Sequence, residues 1–132
     1  MTKNRKELLE LLIDEKLPLN ASQLYEKSRG EQDLATIYRG LNYLETEGYI
    51  ISFVFDCKDR GIERYYNIKK EKHDHYMHCE RCHSFTVFSS CPLQTSLSKI
   101  EDLYGFVVEE HYLTLKGTCR NCTEKNEKDL NN

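Results

Sequence analysis

No apolar run approaches the roughly eighteen residues that a membrane-spanning helix needs, so nothing in the chain is read as crossing a bilayer. The opening Met1-Thr2-Lys3-Asn4-Arg5-Lys6 leads at once into an amphipathic pattern. No long apolar stretch with a small-residue cleavage site is found there. No signal peptide is read, and the chain is expected in the cytoplasm with no membrane partner. An excess of basic charge is missing too. The net charge is −3, and residues 1–68 hold ten Lys or Arg against twelve Asp or Glu. Bulk attraction to a polyanion is therefore excluded; phosphate contacts would have to come from local placement. No internal repeat is visible beyond a Cys-x-x-Cys used twice. The 132 residues suit one compact domain or two small ones with modest cores.

Cysteine, by contrast, is plentiful, with six in the chain. Without an export signal, thiolate ligation of a metal is favoured over disulfides.

The first half reads as three helices and a hairpin. Leu8, Leu9, Leu11, Leu12 and Ile13 recur at helical spacing. Asn20 and Gln23 form a capping box for a second helix carrying Leu24 and Tyr25 and stopping at Gly30. Asp33 caps a third, with Leu34, Ile37, Leu41 and Leu44 as its core-facing stripe and Gly48 ending it. Tyr49 to Phe55 and Ile62 to Ile68 are strand-like, with turn chemistry from Asp56 through Cys57 to Gly61. Helix, helix, helix, hairpin is the order of a winged helix-turn-helix.

Residues 69–72, Lys-Lys-Glu-Lys, read as a hinge. Beyond it, His73 to Cys79 and Phe85 to Phe88 read as strands. Leu93, Leu97, Ile100 and Leu103 suggest a helix closed by Gly105, and Phe106 to Leu115 a long strand. Residues 123–132 read as a polar, frayed tail. The expected class is α+β: a winged-helix domain over 1–68, a hinge at 69–72, and a small metal-binding α/β unit over 73–122.

On the third helix, Thr36, Arg39, Asn42 and Tyr43 would point away from the core stripe, with Tyr38 at the edge of that face. Arg can bond guanine bidentately and Asn can do the same to adenine. A tyrosine can meet a thymine methyl or a phosphate. Thr36, Tyr38, Arg39 and Asn42 are the candidate DNA-binding residues, with Lys58 and Arg60 at the hairpin tip for phosphates. Exposed Arg and Asn are more often merely solvated, and three-helix winged units also serve as protein-interaction modules.

Cys79-Glu80-Arg81-Cys82 and Cys119-Arg120-Asn121-Cys122 are two knuckles. A two-residue spacer lets both sulfurs of a pair reach one ion, and two pairs complete a tetrahedral four-thiolate site of the kind zinc occupies structurally. The 36 residues between the knuckles leave room for a helix and two strands. A thioredoxin-like context is missing, and rubredoxin-like iron has no suggested electron-transfer partner. A closed four-sulfur site offers no open position for substrate, so catalysis by this ion is not expected.

Four of the five histidines fall within eleven residues, His73 to His83. His73 and His75 share a strand face. With Cys91 and His111 they make a candidate second site of nitrogen and sulfur ligands, suited to zinc and less well to nickel or ferrous iron. His78 and His83 are read as surface histidines. Cys91 has an alternative as a buried thiol before Pro92, and Cys57 is left unassigned.

Leu34-Ala35-Thr36-Ile37-Tyr38-Arg39-Gly40-Leu41, His73-Asp74-His75 shortly before the first knuckle, and His111-x-Leu113-x-Leu115-x-Gly117-x-Cys119-x-x-Cys122 together resemble the ferric uptake regulator family along nearly the whole chain. The resemblance implies a homodimer with a winged-helix DNA-binding half and an α+β dimerisation half, repressing uptake or stress genes when a regulatory metal is bound. It assigns base contact to Tyr38 and Arg39 and a structural Zn2+ to Cys79, Cys82, Cys119 and Cys122. The family's other ligands carry over less well. Leu17 and Pro18 stand where a histidine is usual, and Asn67 and Val87 where acidic ligands are usual. The family's helix glutamate is replaced near Lys99, with Cys91 a substitute for it. One extra residue separates His75 from Cys79, and His83 stands where Gly is usual.

These departures make Zn2+ the expected regulatory ion, ahead of Fe2+, Mn2+ or Ni2+, on His73, His75, Cys91 and His111. The expected partner is a palindromic double-stranded operator. The alternatives are an iron- or peroxide-responsive regulator of the same family, a thiol redox protein, or a zinc-stabilised interaction module. A zinc hydrolase would need a base such as Glu109 or Glu110 beside an open site; no enzyme is expected.

Overall fold

The computed structural model describes residues 1–71 and 74–130. His73, a sequence-expected ligand, and Lys72 of the expected hinge lie outside the described residues. The chain divides into two compact units, Met1–Glu71 and Lys72–Asn132.

In the first unit, helix α1 spans Lys3–Glu15 and opens where Thr2 accepts a hydrogen bond from the Arg5 N–H. Leu8 and Leu12, one turn apart, are fully buried, whereas Ile13 is half exposed. Strand β1 (Leu19–Asn20) runs into α2 (Ala21–Lys27) through a reciprocal cap: the Gln23 N–H donates to Asn20 Oδ1 at 2.8 Å and the Asn20 N–H to Gln23 Oε1 at 2.9 Å. Helix α3 spans Leu34–Thr46, and the Asp33 carboxylate accepts the Thr36 N–H at 2.7 Å. That bond and the Thr36 hydroxyl hold the Asp33 carboxyl below its usual range.

Ile37, Leu41 and Leu44 of α3 are fully buried, but Leu34 is 43% exposed. The expected stripe therefore starts one turn late, because Leu34 is the first helical residue and stands ahead of the contact with α1 and α2. Gly40 leaves room for α1: a Cβ there would lie 2.6 Å from Leu8 Cδ1.

Strands β2 (Ile50–Cys57) and β3 (Gly61–Ile68) pair antiparallel, and β1 adds to the far edge of β3, giving the order β1-β3-β2. The expected turn is shorter than its composition suggested. Pairing continues to Cys57 opposite Gly61, so Cys57 is a buried strand residue, not a turn residue. The reason is period two: Cys57 follows Phe55 on the buried face of the strand.

In the second unit, β4 (His75–Cys79) is central. It pairs antiparallel with β5 (Phe85–Phe88) and parallel with β6 (Thr114–Gly117). Helix α4 (Gln94–Tyr104) ends at Gly105 in the left-handed conformation, φ 63°. Two expectations fail here. The long strand from Phe106 to Leu115 is confined to its last residues, because β4 offers a pairing partner only from Thr114 onward; residues 106–113 form no strand. The polar tail from Thr123 is largely helical, within α5 (Arg120–Leu130), which opens on the second cysteine pair.

The two units differ in what they bury. The first closes around leucine, isoleucine and tyrosine. The described residues of the second bury Tyr76, Phe85, His75, His78, Cys79 and Cys122 but no aliphatic side chain, and α4 buries none of its residues. Such a core supplies little hydrophobic stabilisation by itself. No described helix is long and apolar enough to cross a membrane.

Candidate metal centres

The parallel pairing of β4 with β6 brings the two cysteine knuckles together. Cys79 stands opposite Gly117, two residues before Cys119, and the Glu80 N–H donates to the Gly117 carbonyl at 2.8 Å. The first knuckle is a tight turn: the His83 N–H returns to the Cys79 carbonyl at 2.8 Å. All four sulfurs of Cys79, Cys82, Cys119 and Cys122 lie within 4.8 Å of one another. Cys82 Sγ is 3.8 Å from Cys119 Sγ.

The backbone is arranged for thiolates. N–H groups of Cys119 and Cys82 point at Cys79 Sγ, at 3.3 and 3.5 Å. Burial alone would push the Cys79 thiol up, but these N–H groups together bring it down to about 5. The Ser84 hydroxyl, 3.0 Å from Cys82 Sγ, likewise lowers that thiol. Cys122 is pushed up to about 12, first by its hydrogen bond to Cys119 and then by burial. Four sulfurs this close cannot all ionise against one another unless a cation lies among them. Ser84 is a supporting residue that spacing alone does not reveal.

A second group lies apart from the thiols. The ligand atoms of His75, Cys91 and His111 fall within 4.8 Å of one another. Cys91 Sγ is 3.2 Å from His111 Nε2, and the rings of His75 and His111 are 5.2 Å apart. A zinc–nitrogen bond of about 2.0–2.1 Å puts the ion roughly 3.2 Å from a ring centre, so two imidazoles sharing one ion have centres roughly 5–6 Å apart. The pair meets that condition without rearrangement. His75 is buried, and Cys91 and His111 are half-buried. Three of the four sequence-expected ligands are thus adjacent; the fourth, His73, is outside the described residues.

His78 corrects the sequence reading. Expected at the surface, it is 2% exposed, with its Nδ1 2.7 Å from Glu80 Oε1. Its burial comes from a central strand, with Tyr76 and Cys79 buried on either side of exposed Met77, which periodicity alone could not supply.

On α3, Tyr38, Arg39 and Asn42 are exposed and Thr36 is half-buried; Arg39 Nη2 donates to Thr36 Oγ1 at 3.2 Å. Tyr43 does not point outward as expected. It packs against the core, with the Arg5 guanidinium carbon 3.9 Å above its ring centre. Lys58 and Arg60 are exposed between β2 and β3.

The model of the ferric uptake regulator family matches residues 1–116. The chain belongs to the ferric uptake regulator family. Members are metal-responsive, DNA-binding transcription regulators and not enzymes. A ferric uptake regulation protein of Campylobacter jejuni is 30% identical over 132 residues, spanning 96% of this chain and 82% of that one. The crystal structure of the Vibrio cholerae ferric uptake regulator superposes with a TM-score of 0.75 at 27% identity, covering 90% of this chain and 91% of the other. A zinc uptake regulator complexed with zinc and DNA shares the fold, with a TM-score of 0.66 at 17% identity over 96% of this chain and 85% of that chain. Iron- and zinc-named regulators share one architecture, so the fold does not choose the metal; the donor atoms do.

Proposed function

We propose that this ferric uptake regulator family member is a cytoplasmic zinc-responsive repressor, acting as a homodimer on a palindromic operator. The observation that carries the reading is the Cys91–His111 contact of 3.2 Å with the His75 ring alongside. A sulfur and two imidazoles suit Zn2+ better than Mn2+, which favours oxygen ligands, or Fe2+, whose usual set joins two imidazoles to a carboxylate. In this reading Cys79, Cys82, Cys119 and Cys122 hold a structural Zn2+, while His75, Cys91 and His111, joined by His73, hold the regulatory one.

The ion ties β4 to the Cys91 loop and to the segment before β6. It favours DNA binding only as far as it binds the DNA-competent shape more tightly than the other shape. Thr36, Tyr38, Arg39 and Asn42 read bases from α3, and Lys58 and Arg60 meet phosphates. Dimerisation explains the exposed apolar surface of the second unit. Leu103, Tyr104, Phe106, Val107 and Tyr112 are all at least 65% exposed, on a unit with almost no core of its own.

The test combines native mass spectrometry with gel shifts on the chain's own upstream region. Cys91→Ala and His111→Ala should each carry one ion fewer per chain than wild type and lose zinc-dependent binding. An iron-responsive regulator has the name of the Campylobacter relative in its favour. It would replace the zinc reading if anaerobic Fe2+ promoted the shift and Zn2+ did not.

A further inference from the structure

We propose that His78 and His83 form an additional divalent-metal site, distinct from the four-thiol cluster and from the His75–Cys91–His111 group. The two rings are 5.7 Å apart and tilted by 44°. That separation lies in the range two imidazoles adopt when they share one ion.

The geometry around His78 is that of a ligand held in place. Its side chain is 1% exposed, and the Glu80 carboxylate binds Nδ1 at 2.7 Å. A carboxylate on one ring nitrogen fixes the tautomer and turns the other nitrogen toward a metal, while raising its basicity. Phe85, with its ring 4.7 Å from that of His78, further restricts the imidazole. His83 adds a separate observation: it occupies the left-handed region at φ 62°. Glycine takes that conformation without penalty, so a bulky imidazole there is held at a backbone cost.

Alternation along β4 sends His78 and Cys79 to opposite faces of the strand. The imidazole pair therefore does not compete with the thiolates for one ion. Neutral imidazoles select Zn2+, Ni2+ or Cu2+ over Mn2+ or Mg2+. Glu80 is a positioning residue, because its oxygen is engaged by Nδ1.

The experiment titrates Zn2+ into the dimeric full chain and counts ions by native mass spectrometry, with imidazole 15N spectra as a second readout. His83→Gly relieves the backbone and so preserves the fold. It should hold one zinc fewer per chain than wild type while keeping the ion that Cys91→Ala removes. Glu80→Gln should keep the site but weaken it about 10–100-fold. Equal zinc counts in wild type and His83→Gly at saturating Zn2+ would overturn the proposal. So would His78 and His83 15N shifts that do not move on titration.

Discussion

The Cys91 thiol lies 3.2 Å from Nε2 of His111, twenty residues further along the chain. Neither residue belongs to a helix or strand, yet both reach the β4 residue His75. In the zinc-responsive reading proposed above, donor softness at this point sets the ion to which the regulator answers.

Replacing the sulfur by oxygen should change that answer. In Cys91→Asp, Zn2+-dependent operator binding is expected to weaken and Mn2+- or Fe2+-dependent binding to strengthen, since carboxylates suit harder ions. Gel shifts across a metal series at fixed salt measure it. An unchanged metal order would remove Cys91 from the ligand set.

Zinc at the four-thiol cluster should be inseparable from folding of the second unit. With no aliphatic side chain buried among the described residues there, its stability leans on an ion worth about 10–16 kcal/mol in small zinc domains. Cys119→Ala should lose zinc, dimer and the second unit's ordered amide signals together. The first unit, with its own leucine core, should keep its signals. Chemical-shift spectra and sedimentation would show both.

Acid should release that zinc. The Cys79 thiol, held down to about 5 in the fold, has an ordinary value of about 8.5. A depressed acid contributes stability above its unfolded value and loses it as pH falls through the folded one. Protons also compete for the same lone pairs as the metal. Zinc, followed with a chromogenic chelator, should stay bound at neutral pH and come off as pH falls toward and below 5. Release already complete at pH 7 would contradict this.

Gly40→Ala should destabilise the first unit by about 1–3 kcal/mol, the usual range for overpacking. Its Cβ would meet Leu8 Cδ1 at 2.6 Å, inside a core where Leu8 is fully buried. Urea denaturation reads the loss. Combined with Leu8→Ala, the cost should fall well short of the sum of the two, because the clash and the cavity fill the same space.

Arg39→Ala should cost about 1–3 kcal/mol and relax preference at one operator position. Lys58→Ala should weaken all sequences alike and reduce the salt slope by about one unit. Competition binding on operator variants separates the two patterns. Equal effects would place Arg39 on phosphate.

Much of the first unit was legible because its signals are local. Asn20 with Gln23 and Asp33 with Thr36 cap helices within one turn, and Ile37, Leu41 and Leu44 keep one face. Two failures came where a neighbour far along the chain intervenes: Tyr43 is covered by Arg5, and the stretch from Phe106 lacks a sheet partner until Thr114. The turn at Cys57 failed locally, because the hairpin pairing continues to Gly61.

By itself the sequence determined the order of helices and hairpin and the two tight cysteine knuckles, because caps, turns and two-residue thiol spacers act over a few bonds. Only the tertiary structure decided that β6 runs parallel to β4, which aligns Cys79 with Gly117 and carries His111 to Cys91 and His75. It also decided that His78 is buried against Glu80. Strand register and burial depend on contacts between residues tens of positions apart, and a linear pattern holds no distance between them.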